Sequence, residues 1–162
     1  MEYTIRKGNI SDAKPLAAVE AECFPAAEAA TAEEIEERLE VYPSHFLLIY
    51  RDGKLVGFID GMATDEKDLT DEMYEKASLH NEKGAWQMIF GLYTIPSCLR
   101  EGNAARLVGA FKKQAEEEGR RGIVLTCKDQ LVHYYAKFGF QNEGVSGSTH
   151  GNVVWYQMRL TF

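Results

Sequence analysis

The residues best suited to hold an anion lie in the stretch from Trp86 to Phe111. An almost unbroken apolar run at 86–95 predicts a strand buried on both faces, and Pro96 ends its hydrogen-bonded ladder. Gly102 permits a tight turn, and Asn103 is a favourable N-cap for the helix that follows. Free N–H groups at a helix N-terminus attract negative charge, so this turn predicts an anion site, and the ligand we infer is a pyrophosphate.

The four histidines are the side chains able to titrate near neutral pH. His150 lies in a loop of small residues, and His80 ends a long acidic segment, so each is a candidate for chemistry or for a plain surface role. We expect His133 to be solvated and His45 to be structural. The four share no metal-ligand spacing, so the sequence predicts no metal site.

The three cysteines, Cys23, Cys98 and Cys127, are an odd number at no metal-ligand spacing. Free reduced thiols are the plain interpretation. Cys127 is the only one that merits a test as a nucleophile, because it lies beside a candidate active site.

The composition narrows the class of protein. A chain of 162 residues fits one domain, 1–162, with a sizeable core. The net charge of −7 argues against a general nucleic-acid binder, which needs a basic face. The sequence has no apolar run of ~18 residues and no signal-peptide pattern, so we expect no membrane partner and a cytoplasmic protein.

The predicted elements follow the order β–α–α–β–β–β–α–β–α–β–β. Ser11-Asp12 and the capping box Thr31–Glu34 begin the first two helices, and Pro43 ends the second. Asp52-Gly53 predicts a hairpin turn. Hairpins combined with βα crossovers indicate a mixed α/β (or α+β) fold. The strands are predicted at 3–6, 45–51, 55–61, 86–95, 122–127, 141–145 and 153–160.

An acidic segment, 64–84, is long for a connection between two strands. It holds a predicted short helix near 71–76. Connections of this length are either lids and binding loops or simply mobile, and the sequence leaves both open.

The element order and three motifs resemble the GNAT superfamily of acetyl-CoA-dependent N-acetyltransferases. Leu99–Ala104 (LREGNA) is similar to the family's Gln/Arg-x-x-Gly-x-Gly/Ala loop, and Tyr135–Phe140 (YAKFGF) to its Tyr-x-x-x-Gly-Phe motif. The interval between them, a helix and a buried strand, also agrees. The resemblance implies a central mixed sheet of about seven strands, splayed between the fourth and fifth and flanked by about four helices.

Within that superfamily the sequence looks most like the arylalkylamine (serotonin-type) N-acetyltransferases. Residues 126–138 resemble that group's Cys-Glu/Lys-Asp-x-Leu-Val-x-x-Tyr-x-x-Phe run. Glu20–Phe24 and Leu79-His80 also echo it. The group's paired histidines, however, fall at Met88 and Phe90, neither of which can accept a proton.

The resemblance implies that acetyl-CoA binds as co-substrate. The family's loop amides hold its pyrophosphate, and Arg100 could add a charged contact or simply face water. The family's central strand pairs with pantetheine and polarises the acetyl carbonyl. Leu99 departs from the motif, and Gly91 suits either a close ligand or a bulky neighbour. The cofactor-binding residues implied are Leu92, Tyr93, Thr94, Arg100, Gly102, Asn103, Ala104 and Ala105.

Tyr135 is the main catalytic candidate, because the family places a tyrosine where it can protonate the departing thiolate. The motif selects Tyr135 over Tyr134, and the alternative is an aromatic residue that fills the core. His150 is the second catalytic candidate, since the family's last loop borders the acceptor site.

Three residues are candidates for the acceptor side, namely Phe24, His80 and Trp86, although aromatic residues are more often plain core. Acidic residues that could recognise a cationic amine, or simply face water, are Glu20, Glu22, Glu28, Asp65 and Glu66.

These features together predict an N-acetyltransferase that moves an acetyl group from acetyl-CoA to a primary amine of a small molecule. The amine attacks the thioester directly in a ternary complex, and the central strand's N–H stabilises the oxyanion. The alternatives are a protein or peptide N-acetyltransferase and a non-catalytic acyl-CoA-binding module. The sequence leaves a homodimer open.

Overall fold

The structure, a computed structural model, describes residues 2–24 and 29–162. This part of the chain forms nine β-strands and five α-helices, joined in places by short 3-10 turns. In chain order they are β1 (Tyr3–Lys7), α1 (Ala13–Cys23), α2 (Ala32–Val41), β2 (Phe46–Arg51), β3 (Lys54–Asp60), β4 (Ala63–Thr64), α3 (Asp71–Glu75), β5 (Trp86–Ile89), β6 (Gly91–Thr94), α4 (Asn103–Glu117), β7 (Gly122–Cys127), α5 (Val132–Ala136), β8 (Gln141–Val145) and β9 (Tyr156–Thr161).

The chain divides into two compact units, and the first comprises residues 1–61 and 91–111. Its sheet has the order β1-β2-β3-β6, and every pair of neighbours is antiparallel. Helices α1 and α2 pack on each other and bury their apolar stripes. The fully buried side chains of this unit include Leu16, Ile35, Leu39, Phe46, Leu48 and Phe58.

The second unit comprises residues 62–90 and 112–162. Its sheet has the order β4-β5-β7-β9-β8, in which β5 and β7 are parallel and the other neighbours antiparallel. Strands β5 and β7 are almost completely buried, as expected of the interior of a sheet covered on both faces. Its core includes Met62, Met88, Ile123, Val124 and Met158.

Several local signals act as the sequence predicts. Thr31 and Glu34 form the capping box at the start of α2, with each side chain bonded to the other's backbone N–H. Asp52 and Gly53 have φ of 48° and 84°, the left-handed pair that a two-residue hairpin needs between β2 and β3. Asp12 is the N-cap residue of α1, but its side chain makes no cap bond to that helix. Its carboxylate accepts the Asn9 N–H at 2.9 Å and binds Arg6 at 2.7 Å.

The predicted strand at 86–95 is two strands, interrupted at Phe90. Strand β5 pairs with β7 over Trp86–Ile89, whereas β6 pairs with β3 in the other sheet. The pairing between the predicted fourth and fifth strands therefore stops at Ile89. Hydrophobicity alone could not show this break, because both halves are equally apolar.

The prediction of a mixed α/β fold is confirmed, with nine strands in two sheets where about seven in one were expected. The extra strands are the divided central strand and the two-residue β4. Five α-helices, rather than four, arise because the acidic segment contributes α3. None of the helices in the described ranges has the length and apolar character needed to cross a bilayer.

Candidate active site

The turn before α4 lies in the first unit and is held in a left-handed conformation. A 3-10 turn at Pro96–Cys98 leads into it, and φ is 65° at Arg100 and 83° at Gly102. A Cβ on Gly102 would lie 2.9 Å from the Arg106 guanidinium, so a larger residue is disfavoured by backbone strain and by this contact. Leu99, where the family motif has a polar residue, is 58% exposed.

The backbone N–H groups of this turn have no acceptor among the described residues. The first bond of α4 runs from the Arg106 N–H to the Gly102 carbonyl, at 3.1 Å. In the part of the chain that the structure describes, no acceptor receives the N–H groups of residues 100–105. This row of donors at the N-terminus of a 15-residue helix suits an anion. The residues concerned are Arg100, Gly102, Asn103, Ala104 and Ala105.

Side chains around the turn hold its shape without occupying those amides. Asn103 is buried, and its Nδ2 donates to the Cys98 carbonyl at 3.2 Å, so its side chain supports the turn rather than capping the helix. The Arg106 guanidinium donates to the Glu101 carbonyl at 2.9 Å and stacks over Tyr3 at 3.8 Å. Glu101 is also paired with Arg51. The turn is therefore rigid before any ligand arrives.

Strand β6 is the edge of its sheet and leaves backbone groups unpaired on one side. The Ile95 N–H donates to the Val56 carbonyl at 2.9 Å, and Tyr93 lies opposite Phe58 in the same alternation. The N–H groups of Leu92 and Thr94 therefore point away from β3. Of the three predicted strand residues, Leu92 and Thr94 can offer their N–H groups to a ligand, although the Thr94 carbonyl accepts the Cys23 thiol at 3.3 Å. The Tyr93 backbone faces its neighbour in β3.

Tyr93 points its side chain into the first unit instead. Its ring lies 4.5 Å from that of Phe58 and meets Phe24 edge-on at 5.3 Å, so the predicted acceptor residue Phe24 packs on this strand. A Cβ on Gly91 would overlap the Tyr93 phenol, which supports the bulky-neighbour interpretation of that glycine. Burial raises the pKa of Tyr93 well above its usual value.

A buried ionic cluster lies behind Tyr93. Glu20 is 2% exposed and accepts the Ala30 N–H at 2.6 Å, and Asp60 pairs with Arg38 at 3.3 Å. Burial, and then the charge of Asp60, raises the pKa of Glu20 to about 7. Glu20 is therefore no part of a solvated acidic face, and Glu28 lies outside the described residues.

In the second unit, Tyr135 is 8% exposed on the short helix α5. Its ring meets Tyr134 edge-on at 5.3 Å and Phe140 at 6.0 Å. Burial, followed by the influence of Cys127, raises the pKa of Tyr135, so the phenol keeps its proton at neutral pH. The structure thus places a protonated phenol at the motif position, and part of its packing is that of a core aromatic.

The acidic segment brings a residue to this region that the sequence did not single out. Tyr74 on α3 lies over Phe90, with ring centroids 4.5 Å apart. Its hydroxyl is 3.5 Å from that of Thr126, and Tyr74 also influences Tyr135 electrostatically. No motif pointed to Tyr74, since a single aromatic in a charged five-residue helix has no periodic pattern.

Two of the predicted acceptor residues have structural partners. The His80 Nδ1 accepts the Ala63 N–H at 3.0 Å, and its Nε2 lies 2.9 Å from Glu82, so the ring ties β4 to the segment that follows α3. Trp86 is 6% exposed, with the guanidinium of Arg159 4.6 Å from its ring centroid and that of Arg121 5.5 Å away.

The loop that carries His150 is fastened to α3. Ser148 donates its hydroxyl, and Thr149 its N–H at 3.0 Å, to the two carboxylate oxygens of Asp71. His150 begins a 3-10 turn, His150–Asn152. The loop is therefore positioned by the acidic segment. In that segment a second carboxylate, that of Asp65, has a structural role, because it accepts the Ala85 N–H at 3.0 Å.

The remaining candidates are buried or exposed in ways that limit their chemistry. Burial raises the pKa of the Cys127 thiol to about 11, and the thiol donates to Met158 Sδ, so a nucleophilic thiolate is disfavoured. Met88 is fully buried, whereas Phe90 is partly exposed beneath Tyr74. His45 is also fully buried, and His133 is exposed.

Comparison with known proteins decides the family. Residues 14–140 match the model of the Acetyltransferase (GNAT) family. The chain belongs to this family.

Two serotonin N-acetyltransferases are similar to this chain in sequence. Serotonin N-acetyltransferase from Mesocricetus auratus is 28% identical over 130 residues, which are 80% of this chain and 61% of that protein. The human enzyme is 26% identical over the same length, so the chain spans about three fifths of these curated relatives.

Two solved structures show the shared fold. The loading GNATL domain of CurA from Lyngbya majuscula superposes with a TM-score of 0.85 at 17% identity, covering 99% of this chain and 98% of that one. PaiA N-acetyltransferase from Thermoplasma acidophilum, solved in complex with coenzyme A, gives 0.75 at 19% identity and full coverage of both chains. The predicted GNAT fold is confirmed.

Proposed function

We propose that this chain is an N-acetyltransferase that moves an acetyl group from acetyl-CoA to a primary amine of a small molecule. The row of unpaired N–H groups at the start of α4 is the observation that carries the proposal. We also propose that residues 1–162 act as one catalytic domain, because the family match extends over parts of both units.

The turn before α4 fits the pyrophosphate of a coenzyme A thioester. The N–H groups of residues 100–105 and the helix dipole favour a doubly charged group, and Gly102 keeps the backbone accessible. Arg100 is exposed beside them and can add a charged hydrogen bond. When bound, the thioester supplies the activated acetyl group. The edge N–H groups of Leu92 and Thr94 are the donors we assign to pantetheine and to the oxyanion.

Tyr135 is the general acid in this proposal. As the new C–N bond forms and the C–S bond breaks, negative charge develops on sulfur, and the phenol can donate its proton there. Proton transfer of this kind is typically worth ~10²–10⁴-fold in rate. The raised pKa of Tyr135 supports the role only in that the proton is present at every pH at which the enzyme would work.

Deprotonation of the attacking amine cannot use a base at position 88 or 90. The positions of the relatives' histidine pair are Met88, which is buried, and Phe90. We assign the deprotonation to water or to His150, which lies in the loop held by Asp71. Among the predicted acceptor contacts we keep Phe24 as a candidate. We do not keep His80 or Trp86, because both side chains have structural partners.

Two variants with matched controls test the proposal. Gly102→Val should weaken acetyl-CoA binding, measured by calorimetry, because it crowds the free amides, whereas Gly109→Val on α4 has no neighbour within 4 Å and should not. Tyr135→Phe should lower thiol release from acetyl-CoA by ~10²-fold or more with affinity kept, whereas Tyr134→Phe should not. Normal affinity in Gly102→Val, or normal turnover in Tyr135→Phe, would contradict the corresponding assignment.

A non-catalytic acyl-CoA-binding module is the second candidate, favoured by the absence of a titratable side chain at positions 88 and 90. An amine panel that includes peptides with free N-termini separates the candidates. Binding of acetyl-CoA without thiol release for any amine at any pH would support the module.

A further inference from the structure

Tyr74, which belongs to no family motif quoted above, contacts Phe90 and Thr126 within the second unit. Tyr74 from α3 lies on Phe90, its hydroxyl reaches Thr126 at 3.5 Å, and it interacts electrostatically with Tyr135. The acidic segment thus places one aromatic ring against Phe90, next to the end of β5, and against Thr126 near the end of β7.

The exposure of these residues shows that they line a surface rather than fill the core. Thr126 is the one residue of β7 that is partly exposed, and every residue of β5 is buried up to Phe90, which is partly exposed. Tyr74 is partly exposed too. Tyr74, Phe90 and Thr126 therefore offer a partly exposed surface on which a ligand can lie.

We propose that Tyr74 is a specificity-determining residue that limits the width of the amine acceptor. This inference rests on the proposed function. A sulfur atom protonated by Tyr135 lies about 3 Å from its hydroxyl, and the attacking nitrogen lies about 3–3.5 Å from the carbon bonded to that sulfur. In this proposal the acceptor passes the partly exposed Tyr74 ring that lies on Phe90.

The geometry gives this limit a physical basis. The Tyr74 ring is packed on Phe90 and its hydroxyl lies beside that of Thr126, so moving it aside costs both contacts. A linear or flat chain can slide along such an aromatic wall, whereas a globular substituent overlaps it. The Tyr74 ring therefore discriminates between amines by shape. The charge at the far end of the amine does not affect this discrimination.

Two primary amines test the limit, n-hexylamine as the linear probe and 1-adamantanemethylamine as the globular probe. We expect Tyr74→Ala to raise kcat/KM for the globular amine relative to the linear one by about tenfold or more, because the wall is removed. Tyr74→Phe, which keeps the ring, should leave this ratio close to that of the wild type. Glu75→Ala, an exposed neighbour on α3, is the control for disturbance of the helix.

Direct binding separates this inference from the proposed function. The same two amines are titrated by calorimetry into the protein saturated with coenzyme A, and the ratio of their dissociation constants should shift in Tyr74→Ala as the kinetic ratio does. If thiol is never released but this ratio shifts, the wall is supported and the transferase proposal fails.

The proposed role of Tyr74 is contradicted if the ratio of the dissociation constants of the two amines is the same in wild type and Tyr74→Ala, or if neither amine binds any variant. Should Tyr74→Ala fail to fold, Tyr74→Leu, which keeps apolar contact with Phe90, must show a smaller shift in the same direction. An unchanged ratio in Tyr74→Leu also overturns the inference.

Discussion

Glu20 should make the stability of this protein fall as the pH rises through weakly acidic values. The carboxyl is buried on α1, where one guanidinium, Arg38, serves both Glu20 and Asp60. Burial is the largest cause of its raised pKa, and the charge of Asp60 adds to it. The Ala30 N–H, Arg38 and Tyr93 act in the opposite direction.

The sign and the size follow from the two pKa values, about 7 in the folded protein against an ordinary 4.5. Between these values the folded state binds more protons than the unfolded chain, so the free energy of unfolding decreases as pH rises. The complete change corresponds to about 3 kcal/mol. Glu20→Gln mimics the protonated carboxyl, keeps an acceptor for the Ala30 N–H and removes this part of the slope.

Urea unfolding at pH 5, 6, 7 and 8 measures the effect. The difference in unfolding free energy between Glu20→Gln and wild type should be small at pH 5 and favour the variant by up to about 3 kcal/mol at pH 8. Glu22→Gln, on the exposed side of the same helix, should follow the wild type. Parallel curves for Glu20→Gln and wild type would refute the assignment of the raised pKa to Glu20.

Three further substitutions distinguish structural from chemical roles. Cys127→Ala should leave thiol release within about twofold of wild type, because a thiol with a pKa near 11 is no nucleophile at neutral pH, and a complete loss of turnover would reverse that conclusion. Gly91→Ala should lower the free energy of unfolding, measured with urea, by ~1–3 kcal/mol, because the added methyl group displaces the Tyr93 ring. A loss of acetyl-CoA affinity at unchanged stability would instead indicate that Gly91 contacts the ligand. His80→Ala should lower the free energy of unfolding by ~1–3 kcal/mol, because it leaves the Ala63 N–H unpaired. The KM for the amine should not change. A raised KM in a fully stable variant would instead make His80 a substrate contact.

Local sequence signals predicted the parts of this fold that depend on neighbouring residues. The capping box at Thr31, the Asp52-Gly53 turn and the helix that begins at Asn103 each follow from hydrogen bonds or backbone angles within a few positions. The free amides of the turn before α4 belong to the same class, because a glycine in a left-handed conformation at a helix start is visible in the sequence.

The parts that depend on distant residues were not predictable in this way. Nothing in the run from Trp86 to Ile95 shows that its first half pairs with β7 and its second with β3, since that choice is made by strands far away in the chain. Likewise, the hydrogen bond that occupies His80 comes from the Ala63 N–H, a backbone group 17 residues away, which no motif records.

Strand geometry gives a reason why this chain carries no histidine pair. Side chains two positions apart share a face of a strand, so bases at positions 88 and 90 would face the same side. Here β5 ends at Ile89, Met88 is enclosed by the second unit, and Phe90 is covered by Tyr74. A base at position 88 would be desolvated, which would lower its pKa and remove it from contact with an amine. Under the proposed function the acceptor therefore reaches the thioester in its neutral form or loses its proton to water or to His150. The acceptor's own pKa then influences how fast it reacts.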